Sequence, residues 1–464
     1  MGTGFIGRSR ELGLLEKEHG RRRALVLITG RRRVGKTRLI KEFIEGKDAL
    51  YFLATEQNER LMLNDFSDAI SRYSGRVQGE YRNWRDAFSA FAGSIEGKKI
   101  LVLDEFQNLA GLNGSFLSVL QDIWDGPMSS EEVMLIVCGS HISVMESLDK
   151  DVGSPLYGRF TRHITLQPLS FEEVYDGGDY VEALERYAVL GGVPRYMELF
   201  DDAPLRENIE ANVMDPSSMM FDDPRVLLGG EVKEPASYMS VLKAVAAGNR
   251  RISSISSALQ VPATTLNPYL KRLIDIRLVR RSVPVTENDP EKSKSGLYSI
   301  DDMYTAFWFR FVHPYSSELS LGHSGWAMSE YDRRFVEDHV SFVFESVCRD
   351  SVRGMGGQIG FVPIKVGSYW DKNTEIDVVA LNTAEKKAFV AECKYHRNTP
   401  VSHHVLRGLR GKCATLRELE GYDVVFGLFS VSGFDDRLLR EEGIVLVDRG
   451  EVVGMGAGTA KNNL

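Results

Sequence analysis

A chain of 464 residues and 52.0 kDa outgrows one ordinary hydrophobic core, so about three domains are expected. Its 43% hydrophobic and 26% charged residues give the balance of a globular chain, with no apolar run approaching a membrane span and no signal-peptide pattern, so no membrane partner is expected. A net charge of -8 and a pI near 5.7 exclude a protein that coats nucleic acid over its whole surface, and any DNA contact has to come from local basic patches.

Residues 24–28 form a continuous apolar run with β-branched members, as expected of a buried parallel strand. The run leads into Gly30-Arg31-Arg32-Arg33-Val34-Gly35-Lys36-Thr37, and a helical pattern follows over 38–44. This is G-x-x-x-x-G-K-[ST] in the strand–loop–helix setting it requires. Glycines let backbone N–H groups face phosphates, and the helix N-terminus favours their negative charge. Lys36 is expected to reach the β- and γ-phosphates of ATP, and the Thr37 hydroxyl to join the Mg²⁺ shell. A second buried strand, 99–103, ends in Asp104-Glu105. Asp104 is expected to support Mg²⁺, and Glu105 to activate the water that attacks the γ-phosphate. A third strand, 133–137, runs into Cys138-Gly139-Ser140, where Ser140 is either a sensor of the γ-phosphate and its water or a loop-capping serine.

These segments, with Phe5-Ile6-Gly7-Arg8, Asp104-Glu105-Phe106-Gln107, Ser154-Pro155-Leu156-Tyr157-Gly158-Arg159 and Gly191-Gly192-Val193-Pro194-Arg195-Tyr196, resemble the archaeal ATPase family. That family belongs with the AAA+-like and STAND-type P-loop ATPases. The resemblance implies that residues 5–8 lie near the adenine, that Arg159 reads the γ-phosphate, and that Arg195 lies in a helical lid. A structural arginine closing a surface turn is the alternative for Arg159. The stretch 201–234, with clustered Asp, Pro and Gly, reads as a linker.

Helical spacing over 238–247, a short helix at 252–259, and a third helix from an N-cap at Thr264 to Ile276 precede two strands, 278–285 and 296–300, around a charged loop. Three helices and a two-stranded wing make a winged helix-turn-helix. Lys271, Arg272, Arg280, Arg281, Lys292 and Lys294 are available for DNA phosphates, and a protein-docking role is the alternative.

A helical pattern over 332–353 contains Glu345. Strand-like segments at 359–364, 375–381 and 388–395 follow, then a helix over 404–419 and strands at 424–429 and 443–447. Glu375-Ile376-Asp377 and Glu392-Cys393-Lys394 stand on adjacent strands joined by the polar turn 382–387, so pairing brings Asp377, Glu392 and Lys394 together. Two carboxylates and an ammonium suit a divalent metal and a phosphodiester: the carboxylates hold Mg²⁺ (or Mn²⁺), and the lysine orients or polarises a water. The order of elements resembles the PD-(D/E)XK nuclease superfamily, although Glu375-Ile376-Asp377 replaces the Pro-Asp pair. The resemblance implies that Asp377 and Glu392 bind metal, that Glu345 assists from the helix, and that Lys394 serves the water or the scissile phosphate. A salt-bridge set on a surface hairpin is the bland alternative. His396, Arg397, Arg407, Arg410 and Lys412 could line a DNA track, while His403-His404 lack a third ligand at fitting spacing.

The expected fold is multidomain α/β: a P-loop parallel α/β ATPase core at 1–165, a helical lid and linker at 166–235, a winged helix-turn-helix at 236–315, and a restriction-endonuclease-like α/β domain at 324–464. The expected function couples ATP binding and hydrolysis to DNA binding and Mg²⁺-dependent cleavage. A STAND-type signalling or DNA-binding regulator with a non-cleaving nuclease-like domain is the rival reading. An arginine supplied between subunits would require a homo-oligomer. The four cysteines, Cys138, Cys348, Cys393 and Cys413, have no paired spacing and read as reduced core residues, which points to the cytoplasm.

Overall fold

A computed structural model describes residues 4–75, 79–94 and 96–454. Two compact units share the chain: residues 1–169, 193–198 and 226–233 form the first, and 170–192, 199–225 and 234–464 form the second.

In the first unit β1 (Arg23–Thr29), β2 (Ala49–Leu53), β3 (Lys99–Asp104), β4 (Val133–Cys138) and β5 (Arg162–Thr165) pair in the order β2-β3-β4-β1-β5, every pair parallel. Burial on both faces explains why these strands read as unbroken apolar runs. Leu25 and Leu27 join Leu101, Leu103, Leu135 and Val137 beneath Phe66, Trp84 and Phe88 on one face. Val26 and Ile28 join Val102, Ile136, Leu39 and Phe43 on the other. The Phe66 ring lies 5.0 Å from Phe52 and 5.1 Å from Phe88. Burying one such ring contributes about 1.5–3 kcal/mol. The carboxyl ends of β1, β3 and β4 converge, and there a parallel sheet presents its loops to ligands.

The stretch 201–234, of which 226–233 belong to the first unit and the rest to the second, departs from its reading as a linker, for it carries the helices Leu205–Asn212 and Asp223–Gly229. Its Asp and Pro residues make local turns, as where Asp215 accepts from the Ser217 amide at 2.8 Å. Its apolar residues Ile209, Met220 and Phe221 are buried. The Met220 and Phe221 carbonyls accept from the Tyr304 hydroxyl and the Trp308 indole. Three helices follow, Pro235–Ala246, Ile252–Leu259 and Ala263–Asp275, then an antiparallel ribbon of β6 (Val279–Ser282) and β7 (Leu297–Ile300). The third helix starts directly behind Pro262, which disfavours helical geometry at Val261, so Thr264 lies inside the first turn and does not cap it.

The helix Gly325–Phe335 continues through one π-type turn, Val336–Val340, into the helix Ser341–Ser351. A mixed sheet follows: β8 (Lys365–Trp370), β9 (Glu375–Asn382), β10 (Lys387–Lys394), β11 (Asp423–Ser430) and β12 (Ile444–Asp448), ordered β12-β11-β10-β9-β8. The β8–β9 and β9–β10 pairs are antiparallel, and β10–β11 and β11–β12 parallel. The strand expected over 359–364 begins only at Lys365. Its first residue instead ends the helical turn Gly356–Ile359, Gly360 follows in the left-handed region at φ 76, and Pro363 has no N–H for a ladder. The loop between β6 and β7 lies along the outer strand β8. The Val285 amide donates to the Ser368 carbonyl at 3.0 Å, the Lys365 ammonium to the Glu287 carbonyl at 3.2 Å, and the Trp370 indole to the Ser295 carbonyl at 3.1 Å. That loop covers an edge which would otherwise offer unpaired backbone groups. Among the described residues no helix is long and apolar enough to cross a membrane.

His339, in the π-type turn, packs against Phe307 and Phe335. Its Nε2 lies 2.8 Å from the Ala188 carbonyl, which accepts from the neutral Nε2–H tautomer. Burial holds its pKa down to about 4 and Arg310 lowers it further, while the bond to Ala188 acts in the other direction. The unfolded chain therefore binds one more proton between about pH 6.5 and pH 4, and native stability falls as pH falls through that window. His339→Gln removes the titrating group. The urea midpoint of this variant should depend less on pH between about 6.5 and 4, sparing it a loss on the order of 3 kcal/mol across that window. Denaturation series at several pH values check this, and equal slopes for the two proteins would refute it.

Candidate functional site

The loop after β1 is shaped by close approach. A Cβ at Gly30 would stand 2.8 Å from the Leu166 carbonyl oxygen, so no larger residue fits. Arg33 and Gly35 take left-handed backbone at φ 72 and 92, which turns the chain into the helix Lys36–Ile44. Val34 is buried and its carbonyl accepts from the Arg8 guanidinium at 3.0 Å, which also donates to the Gln167 carbonyl at 2.6 Å. Arg8 thus braces the loop from behind. Arg31 is largely buried, and Arg32 lies beside Gly230. The Lys36 ammonium donates to the Gly30 and Arg31 carbonyls at 2.8 and 2.9 Å. Burial lowers its pKa, and the Glu105 and Asp104 carboxylates act against that shift.

Asp104 closes β3 and gathers three donors. Thr37 Oγ1 donates to its Oδ2 at 2.9 Å, Tyr51 Oη to the same oxygen at 2.5 Å, and the Glu105 amide to Oδ1 at 2.9 Å. Burial and the Asp104 carboxylate push the Tyr51 phenol well up, so it remains a donor. Thr37 and Asp104 offer Mg²⁺ a hydroxyl and a carboxylate, the hard oxygen ligands that it takes. Glu105 takes left-handed backbone at φ 51, a conformation that costs on the order of 1–3 kcal/mol outside glycine. Its Oε2 accepts from Ser140 Oγ at 2.9 Å and from Gln107 Nε2. Gly139 leaves room for Gln107, whose Oε1 would stand 2.4 Å from a Cβ there. The structure therefore brings Lys36, Thr37, Asp104, Glu105 and Ser140 together. Arg159 is engaged elsewhere, donating to Asp125 Oδ2 through Nη2 at 2.7 Å and to the Pro155 carbonyl at 2.9 Å. Arg195 pairs with Glu198 at 2.9 Å.

A second cluster stands at the end of β9 and β10. Lys394 Nζ lies 2.8 Å from Glu392 Oε2 and 3.9 Å from Asp377 Oδ2. The Cys393 amide donates to Asp377 Oδ2 at 2.9 Å. Lys412, from the helix His403–Cys413, reaches Glu392 Oε1 at 2.7 Å. Arg349 lies 3.5 Å from Glu345 Oε2 and donates to the Asp377 carbonyl at 3.0 Å. Burial raises the Asp377 pKa and the Glu392 charge adds to it, while burial followed by the Asp377 charge raises Glu345. Burial also pushes Glu392 up, but Lys394 and Lys412 outweigh it and hold that carboxyl below its ordinary value. Among the described residues no group of three or more His, Cys, Asp or Glu side chains could cage a metal ion. Two carboxylates suit Mg²⁺ only in its usual manner, with waters and a substrate phosphate completing the shell.

Four residues contribute in ways that the sequence motifs do not assign. Arg349 stands four residues after Glu345, a helical spacing that signals a pair. Gln107 follows the Asp-Glu pair by two residues, with nothing in that spacing to assign it a role. Tyr51 reaches Asp104 from 53 residues away with no local pattern to mark it, and Lys412, expected along a DNA track, instead engages Glu392, 20 residues before it. Of the basic residues expected along a DNA track, Arg397 pairs with Glu185 and Arg410 with Glu441. Arg281 donates to the Pro290 and Ser293 carbonyls and so holds its own loop.

Lys36→Ala should abolish tight nucleotide binding. Glu105→Gln should retain binding and lower turnover by about 10²–10⁴-fold, since it removes the proton acceptor. Gln107→Ala and Ser140→Ala, which leave the carboxylate but not its orientation, should lie between that variant and the wild type. Nucleotide titration and phosphate release measure these effects, and wild-type turnover in Glu105→Gln would overturn the assignment.

Residues 5–200 match the family described as an ATPase domain predominantly from Archaea, and residues 308–405 match archaeal and bacterial proteins of unknown function. An uncharacterized protein of Methanocaldococcus jannaschii is 32% identical over 397 residues, covering 84% of this chain and 87% of that protein. A Walker-type ATPase of Pyrococcus abyssi is 20% identical with a TM-score of 0.49, over 66% of this chain and 96% of that one. The ORC2 protein of Aeropyrum pernix is 13% identical with a TM-score of 0.48, over 69% and 97%. With a phosphate loop, an Asp-Glu pair and a relative matched over most of its length in agreement, the chain belongs to the archaeal P-loop ATPase family.

Proposed function

We propose that this ATPase couples its nucleotide state to the binding and Mg²⁺-dependent cleavage of nucleic acid. The observation that carries the reading is the gathering of Asp377, Glu392 and Lys394 at one end of β9 and β10, with Glu345 on a neighbouring helix. That order and chemistry support a PD-(D/E)XK-like site. The three helices and ribbon over 235–300 support a winged helix, with Lys271 and Arg272 on its third helix as phosphate contacts. A divalent cation bound by Asp377 and Glu392 would acidify a water and offset charge developing on the phosphate. Lys394 orients that water or the scissile phosphate. Water adds across the phosphodiester: its oxygen bonds to phosphorus, one bridging P–O bond breaks, and a proton passes to the leaving oxygen. An arriving phosphate also offers Lys394 and Lys412 an anionic partner besides Glu392. In the ATPase unit Lys36 holds the phosphates, Thr37 and Asp104 hold Mg²⁺, and Glu105 accepts the proton of the attacking water.

One observation favours a second reading, a regulatory ATPase with a non-cleaving domain. Both Glu392 oxygens are engaged by ammonium groups, which a metal would have to displace. The full chain incubated with linear, circular and single-stranded DNA, with Mg²⁺ or Mn²⁺ and with or without ATP, separates the two. Asp377→Asn should reduce cleavage by at least about 10²-fold while leaving ATP turnover within about twofold, because it removes a ligand of one site only. Absence of wild-type cleavage under every condition would favour the regulator.

A further inference from the structure

A cleft of about 580 Å³ lies within the second unit, between the three helices with their ribbon and the mixed-sheet domain. Arg250, Arg280 and Tyr298 line one wall; Phe342, Arg353 and Asp377 belong to the other. Glu345 also lines it, so the cleft opens onto the carboxylate cluster. We propose that this cleft binds a single, unpaired nucleic-acid strand, with a base stacked on Phe342 and phosphates held by Arg250, Arg280 and Arg353. The proposal deepens the nucleolytic reading by naming the form of its substrate, and rests on that reading for the fate of the strand at Asp377.

Size favours a single strand. The cleft has the volume of a small-molecule pocket, room for one or two nucleotides, whereas the major groove of a duplex alone is about 12 Å wide. Its chemistry points the same way. Phe342 is 57% exposed, an aromatic face beside cations, the combination by which single-strand binders hold successive bases and phosphates. Charge within the cleft is divided. Arg310 is committed to Asp338 at 2.7 Å, while Arg280 bonds Ser299 through Nε and stands 3.9 Å from Asp301. Asp350 also faces the cleft, and Glu345, Glu375 and Asp377 add negative charge at the sheet. Burial lowers the Arg280 pKa, and Asp301 and Asp350 attract the guanidinium while Arg349 and Arg250 repel it.

Fluorescence anisotropy of the full chain in EDTA, without ATP, tests binding apart from cleavage. Probes are labelled oligo-dT and oligo-U of about 12 nucleotides, within the usual single-strand site size, and a DNA duplex of equal length. Single strands should bind at least about tenfold more tightly than duplex, and Phe342→Ala should weaken them about tenfold while Phe342→Trp restores them. Arg250→Glu should lower the salt slope by about 0.7, the share of one phosphate that is no longer neutralised. The two oligonucleotides decide between DNA and RNA. Equal or tighter duplex binding, or wild-type single-strand affinity in both Phe342→Ala and Arg250→Glu, overturns the proposal. Tight single-strand binding in EDTA by a chain that cleaves no strand once Mg²⁺ or Mn²⁺ is supplied would sink the nucleolytic reading and leave the cleft assignment standing.

Discussion

Val378 stands opposite Ala391 and Val379 opposite Val390, and the second cluster depends on this register. Through it Asp377 and Glu392 continue rows that begin as Leu381-Val379 and Ala388-Val390. Those apolar rows pack with Leu406 and Leu409 of the helix His403–Cys413. A slip of one residue would turn the core residues to the wrong face and the carboxylates with them. Burial therefore fixes the position of the charged groups, and the same helix that covers the apolar rows supplies Lys412.

The two clusters hold their carboxylates by different means. Asp104 receives hydroxyls and an amide, donors that carry no net charge. Glu392 receives two ammonium groups. A cation arriving at Asp104 meets a carboxylate held by neutral donors, whereas one arriving at Glu392 competes with lysines already in place. The physical difference lies in what must leave first.

Legibility followed the range of the interactions. The phosphate loop was readable because its geometry is set by a handful of adjacent residues, and the strands because burial on both faces leaves unbroken apolar runs. The pairing of Asp377 with Glu392 was readable from alternation across a hairpin. The contacts of Tyr51 with Asp104, of Lys412 with Glu392 and of Arg159 with Asp125 were not, because each reaches across the fold and no local spacing links the partners. The stretch 201–234 misled for another reason. Its Asp, Pro and Gly residues look like a linker locally, while its apolar segment finds hydrogen-bond partners 84 and 87 residues later.

The division of the chain carries a topological consequence. Its path crosses between the two units five times, at 169/170, 192/193, 198/199, 225/226 and 233/234. No single cut separates the two units. A fragment ending at residue 233 keeps the phosphate loop but also keeps 199–225, whose Met220 and Phe221 lose Tyr304 and Trp308. A fragment beginning at residue 234 loses Glu185, the partner of Tyr395 and Arg397 beside the carboxylate cluster. The two halves are laced together along the sequence, and no single cut frees one without taking part of the other.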